Sequence, residues 1–273
     1  WIDLGDAVAS PPSRYLQYRL TLKAKGPSVP RVREVAAYYL PVNSAPTLGE
    51  IVVLDPGVRL DRKEEFRTDP EPKGINRPML PKVRPQLKEK EEHQTQSARW
   101  EGSDVDQDQL RYTVSLREAG STSWRVLEVD LTDEFINFNA TALADGWYEL
   151  KVVARDAPGN QAGEIRQADR LSVPFPIDHS PPTLTGASVK VSGLKATVSL
   201  EARDQTTYIS DGRYSVDGGP FVPLFPEDRV LDEKEERFTF TTVDLPAGAH
   251  TLVVAVEDGV HNIVTGKYPV VIK

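Results

Sequence analysis

The chain has 273 residues, enough for two ordinary domains with material to spare. Its 41 acidic side chains outnumber the 33 basic ones for a formal net charge of −8, which argues against an electrostatic footprint for nucleic acid. The sequence contains no cysteine, and this excludes disulfide staples, thiol nucleophiles and cysteine-ligated metals. No apolar run has the length of a membrane span and no signal-peptide pattern opens the sequence, so membrane insertion is not expected. Beginning at Trp1, the chain reads as a processed or excised part of something longer. With 22 prolines, 18 glycines and little helical periodicity, the composition favours strands joined by turns.

In chain order, Leu16, Tyr18, Leu20 and Leu22 alternate with polar neighbours, and after Gly26-Pro27 a second apolar run covers 35–40. This predicts a hairpin. Two strands alone are marginal in water, so residues 1–58 are expected to be the C-terminal strands of a preceding β domain, with Ile51–Leu54 one more strand. Residues 59–95 then change character, with repeated prolines between 70 and 85 and the charge run Lys88-Glu-Lys-Glu-Glu92. They predict an extended linker or strap, partly polyproline-like, read either as a solvated spacer or as a segment that binds a partner.

From Gln96 onward, short alternating strands recur: the Ala98/Trp100 strand, then Leu110 to Leu116, Trp124 to Leu127, Phe135 to Phe138, the Tyr148 strand and Leu171 to Phe175. Their spacing predicts one β-sandwich over 96–178. Prolines 176, 181 and 182 mark a stiff junction. A second set of strands follows over 179–273, with Asp217-Gly-Gly219 a hairpin-turn signal.

The two sets are related by an internal repeat. Leu143, Gly146, Leu150, Val152, Asp156 and Asn160 return as Leu245, Gly248, Leu252, Val254, Asp258 and Asn262, each 102 residues on. In both copies a tight turn leads into an alternating strand, and an Asp-x-x-x-Asn turn follows it. The fold class is therefore all-β, with two tandem sandwiches behind an N-terminal β remnant and a Pro- and charge-rich linker.

Leu143 followed by Tyr148, Val152 and Ala154 resembles the penultimate strand of a fibronectin type III domain, with Tyr148 as its tyrosine corner. Trp100 resembles that family's buried tryptophan on the second strand. The second copy departs from the pattern, since His250 stands where the tyrosine would be; it is similar to bacterial Ig-like modules. Ser10 to Leu22, followed by Tyr39-Leu-Pro-Val-Asn-Ser-Ala-Pro46, resembles the end of a β domain found behind β-propellers in large bacterial secreted or periplasmic proteins. The resemblance implies a non-catalytic structural or adhesive module, secreted, periplasmic or on the cell surface. Its partners would be other domains of the same longer chain or assembly.

Few residues have chemistry of their own. Asp104, Asp106 and Asp108 place carboxylates at alternate positions before a strand, and Asp156 and Asn160 lie on a loop that a sandwich can bring to the same end. Calcium, which takes six to eight oxygens, is the candidate ligand for these five. The alternative is a solvated turn in an acidic protein, because the EF-hand pattern is absent. Asp204, Asp258 and Asn262 are a weaker version in the second copy. The four histidines are scattered at 93, 179, 250 and 261, with His250 read as a half-buried core residue. No hydrolase, phosphate-loop or dinucleotide motif is present, and Glu64-Glu65 and Glu235-Glu236 are merely adjacent in charged loops. No catalytic residue is assigned, and calcium is the sole cofactor candidate. Trp147 alternates with Tyr148 and so faces outward. With Trp124 it could form a stacking platform for a sugar ring, the carbohydrate-binding alternative, or it packs under a neighbouring strap or domain. A ligand-sensing ectodomain is a third reading.

Overall fold

The computed structural model describes residues 17–24, 26–27, 30–36, 42–63 and 86–273, and among these no helix is long and apolar enough to cross a membrane. The first sandwich contains β1 (Thr47–Leu48), β2 (Val52–Val53), β3 (Val58–Arg62), β4 (Leu87–Glu91), β5 (Thr95–Arg99) and β6 (Gly102–Ser103). Its remaining strands are β7 (Arg111–Glu118), β8 (Arg125–Leu131), β9 (Phe135–Asn139), β10 (Gly146–Arg155), β11 (Gln167–Leu171) and β12 (Phe175–Ile177). One sheet runs β11-β10-β7-β8, with β12 pairing the start of β10; the facing sheet runs β2-β5-β9. Short ribbons β1-β6 and β3-β4 complete the unit.

The period of two is what drives this assembly. Leu150, Val152 and Ala154 of β10 have no exposed surface, while Glu149, Lys151 and Val153 between them are half-exposed. The buried row meets Ile51, Ala98, Trp100 and Ile136 from the facing sheet in one core. Trp100 packs edge-on against Tyr112, with ring centroids 5.5 Å apart.

The second sandwich contains β13 (Thr183–Ser192), β14 (Lys195–Arg203), β15 (Ile209–Val216), β16 (Val222–Pro223), β17 (Glu235–Thr241), β18 (Gly248–Asp258) and β19 (Ile263–Ile272). Sheet β13-β14-β17 faces sheet β16-β15-β18-β19 over a separate core that includes Val198, Leu200, Phe238, Leu252 and Val254. In both units the chain crosses between sheets, pairs antiparallel throughout, and sets three strands against four or five. The protein is all-β, two tandem Ig/fibronectin III-like sandwiches. The turn from β15 to β16 has positive φ at Asp217 (51°) and Gly218 (76°), with Gly219 N–H donating to Val216 O at 2.8 Å, the left-handed geometry that two-residue hairpins favour.

Two expectations are corrected. The first sandwich does not start at residue 96: β1, β2 and β3 belong to it, so the boundary drawn at 58 and the linker drawn over 59–95 both cut through its strands. Ile51 and Leu60 are each 1 % exposed, and Ile51 belongs to the first core. The side chain of Asn137 stands in for a strand partner to Leu60, accepting from its N–H and donating to its carbonyl, both at 2.9 Å. The charged run is edge strand β4, where Lys88 lies opposite Asp61. Backbone pairing needs no apolar side chain, and charges protect an edge from further pairing. Residues 64–85 of the expected strap lie outside the described residues.

The N-terminal hairpin is the second correction. Residues 17–24 and 30–36 form no strand, and Tyr18, Leu20 and Leu22 are exposed, consistent with two short segments that have no sheet to join. The rest of that expectation, including 37–40, falls outside the described residues.

Candidate functional site

Each sandwich gathers acidic side chains at the end where the preceding linker enters. At the first, Asp104 to Asp108 form the turn between β6 and β7, and Asp156 directly follows β10. Asp104 Oδ1 accepts from Asp106 N–H at 2.8 Å and Asp108 N–H at 3.3 Å, which curls the loop back on itself. Asp156 is fully buried, and its Oδ1 accepts from Arg166 N–H at 2.7 Å. Carboxylate oxygens of Asp104, Asp108 and Asp156 lie within 4.8 Å of one another.

Two of the five residues singled out in the sequence do something else. Asp106 Oδ2 accepts from the N–H of Ser44 at 2.7 Å, fastening the linker. Asn160 turns its nitrogen inward, donating to Asp108 Oδ2 at 2.7 Å and to Asp156 O at 3.0 Å. A Cβ on Gly159 would come within 3.1 Å of Asp108 Oδ1, so the loop closes tightly there. Sequence reasoning missed Asn43, whose Nδ2 donates to Asp156 Oδ2 at 2.6 Å and to Glu164 O at 2.8 Å. The signal for it was present. Asn43 and Asp178 each precede a sandwich, and each stands three residues before a proline.

At the second end, Asp178 follows β12, Asp204 follows β14 and Asp258 closes β18, again with carboxylate oxygens within 4.8 Å of one another. Asp204 Oδ1 accepts from the N–H groups of Thr206 (2.8 Å) and Thr207 (2.7 Å). Asp258 accepts from Val260 N–H, Asn262 N–H and Asn262 Nδ2, at 2.9, 2.9 and 2.8 Å. Burial, with Asp204, Asp258 and Asp145 nearby, pushes the Asp178 carboxyl up to about 6.

The chain is similar to two multi-domain β structures. One is the crystal structure of chicken CNTN1 FN1-FN3 domains, at 13 % identity and a TM-score of 0.36; the likeness covers 66 % of this chain and 62 % of that one, so this chain spans less than two thirds of its length. The other is the fibronectin(III)-like modules of Clostridium thermocellum CbhA, at 13 % identity and a TM-score of 0.34, covering 66 % of this chain and 86 % of that one. No protein-family model and no curated protein matches the sequence.

The two corner residues make corresponding bonds. Tyr148 donates its hydroxyl to Ala144 O, four residues back, at 2.9 Å. His250 meets Pro246 O, also four residues back, at 2.8 Å through Nε2, while Nδ1 meets Asp217 Oδ2 at 2.7 Å. The Asp217 hydrogen bond first, and the Pro246 carbonyl second, hold the imidazole pKa above its ordinary value. His250 is thus a corner residue with a polar role, its side chain 10 % exposed.

The two tryptophans lie apart in function. Trp124 has the guanidinium of Arg117 and the ammonium of Lys151 over its ring, 4.4 and 4.5 Å from the centroid. Trp147 remains 42 % exposed, yet its indole N–H donates to Thr206 O of the second sandwich at 3.2 Å. Asp145 completes this junction. It accepts from His179 N–H at 2.9 Å and Ser180 Oγ at 2.6 Å, and these bonds hold it ionised below its ordinary pKa although burial opposes that.

Proposed function

We propose that this chain is a non-catalytic structural or adhesive part of a larger bacterial extracellular or cell-envelope protein, setting the spacing of the domains on either side. The observation that carries this reading is the junction. Side chains of the first sandwich (Trp147, Asp145) bond to the linker and to the second, and Asn262 reaches back to Asp178 O at 3.3 Å. A hinge meant to swing would have no use for such bonds, whereas a spacer needs them. The β domain implied by the wording of residues 10–22 and 39–46 would stand upstream, and the partners would be domains of the same chain or assembly.

The cations over the ring of Trp124 and the edge bond of Trp147 to the second sandwich support the spacer over a sugar platform. An Arg and a Lys already cover Trp124, and Trp147 is committed to Thr206. A glycan array probed with the wild type and with Trp124→Ala tests the choice. No saccharide that depends on Trp124 is expected; binding that disappears in that variant would replace the spacer with a carbohydrate-binding accessory region.

A further inference from the structure

We propose that Asp104, Asp108 and Asp156, closed over by Asn43 from the preceding linker, bind a hard divalent cation of the calcium class. This inference goes beyond the spacer reading and stands or falls without it.

The first ground is spacing. Calcium–oxygen distances of about 2.3–2.6 Å place two ligand atoms of one ion no more than about 5 Å apart. The three carboxylates meet that limit, each offering an oxygen within 4.8 Å of the others. None of the four residues is a histidine or cysteine, so the donor set is oxygen alone, which suits calcium or magnesium rather than zinc or copper.

The second ground is independent of the clustering. Oδ2 of Asp104 and Oδ1 of Asn43 are sealed from solvent, and neither has a hydrogen-bond donor. A sealed carboxylate oxygen without a donor is a costly arrangement, and almost all buried polar atoms avoid it. A cation supplies the missing partner to both. The remaining oxygens are used as a metal site would use them. Asp104 Oδ1 and Asp156 Oδ1 accept from Asp106 N–H and Arg166 N–H, which fixes the two carboxylates in orientation. Asn43 is brought to the cluster by its own bond to Asp156 Oδ2.

An ion here ties residue 43 to the β6–β7 turn and to the loop after β10 at one point. It would clamp whatever enters from the N-terminal side against the first sandwich. The three-aspartate group at the second end has no sealed oxygen lacking a donor and is not part of the proposal.

The test uses the full chain, freed of metal with a chelator and titrated with calcium chloride while amide signals are followed by NMR. The Asn43 side-chain amide and the Ser44 N–H should move saturably. Asp104→Asn should weaken that titration at least about tenfold, the size of effect that losing a metal's supporting groups produces. Asn43→Ala, in a linker outside both cores, should weaken it similarly and covers the case in which Asp104→Asn fails to fold. Asp258→Asn should leave these signals unchanged. The proposal is overturned if Asn43 and Ser44 do not respond up to about 10 mM calcium, well above the range of weak extracellular modules. It is equally overturned if calcium moves only Thr206 and Val260, or if both Asp104→Asn and Asn43→Ala titrate as the wild type does.

Discussion

The two ends at which linkers enter carry the same three-carboxylate geometry and solve it differently. At the junction, backbone amides of Thr206, Thr207, Val260 and Asn262 converge on Asp204 and Asp258, and the remaining strain falls on Asp178, whose proton affinity rises. At the first end fewer donors converge, and oxygens of Asp104 and Asn43 stay sealed and unmatched. One repeat backbone thus supports two answers to a concentration of negative charge: converging amides beside a carboxyl of raised proton affinity in one place and, in the proposal above, an external cation in the other. A loop's carboxylate count does not reveal which answer applies; the number of donors facing each oxygen does.

The largest expected effect separates the two ends in calcium-free buffer. Asp258→Asn leaves buried amide donors poorly matched and should destabilise the second sandwich by about 2–3 kcal/mol, since hydrogen bonds to charged groups contribute at this level. Asp104→Asn removes a stranded charge and makes the turn acceptor neutral and weaker, so these effects oppose. Chemical denaturation should show a loss under about 1 kcal/mol. Equal losses would mean that the two clusters are held in the same way.

A pH series sharpens the comparison next. The folded-state pKa of Asp178, about 6, lies above its ordinary value of 3.8, so the folded protein holds this proton more firmly than the unfolded chain. The contribution to stability should be greatest below pH 4, fall as pH rises from about 4 to 6, and level off above. Burial of the carboxyl sets it first, with Asp204, Asp258 and Asp145 adding to it, and Asp178→Asn should remove the slope in calcium-free melting curves.

The corner residues give a smaller effect, and for His250 it has the same sign at higher pH. Tyr148→Phe should cost about 1 kcal/mol, one neutral hydrogen bond, with no dependence on pH near neutrality. His250 can donate from both nitrogens only when protonated, and its pKa is raised. Its contribution is complete below pH 6.5 and is lost as pH rises through the elevated folded value. His250→Gln should abolish that loss in thermal melts. The smallest effect, about 0.5–1 kcal/mol, is expected for Trp147→Phe, which removes the indole N–H to Thr206 and little apolar surface.

Much of the architecture could be read from the order of residues. Alternation at Tyr148 to Ala154 and at His250 to Val256 marked the central strands, and the offset from Asp156 to Asp258 separated the two sandwiches. The first sandwich's opening strands were less legible because β4 is written in lysine and glutamate, and β3 is held through Asn137 rather than through an apolar run. The acidic loops announced a possible site, but the part played by Asn43 depends on a contact 113 residues away in sequence, and its place three residues before a proline, shared with Asp178, was the one local hint of it. The same holds for Trp147: period two shows that it faces outward, and only the neighbouring sandwich decides what it meets.

The account depends most on the two sandwiches being held as one body by the bonds around Trp147, Asp145, Asp178 and Asn262. Residual dipolar couplings measured across both units of the full chain test this directly. A single alignment tensor should fit the strands of the two sandwiches together, and Trp147→Ala with Asp145→Ala should split it. Two independent tensors in the wild-type protein would contradict a fixed junction, and with it the role of a spacer.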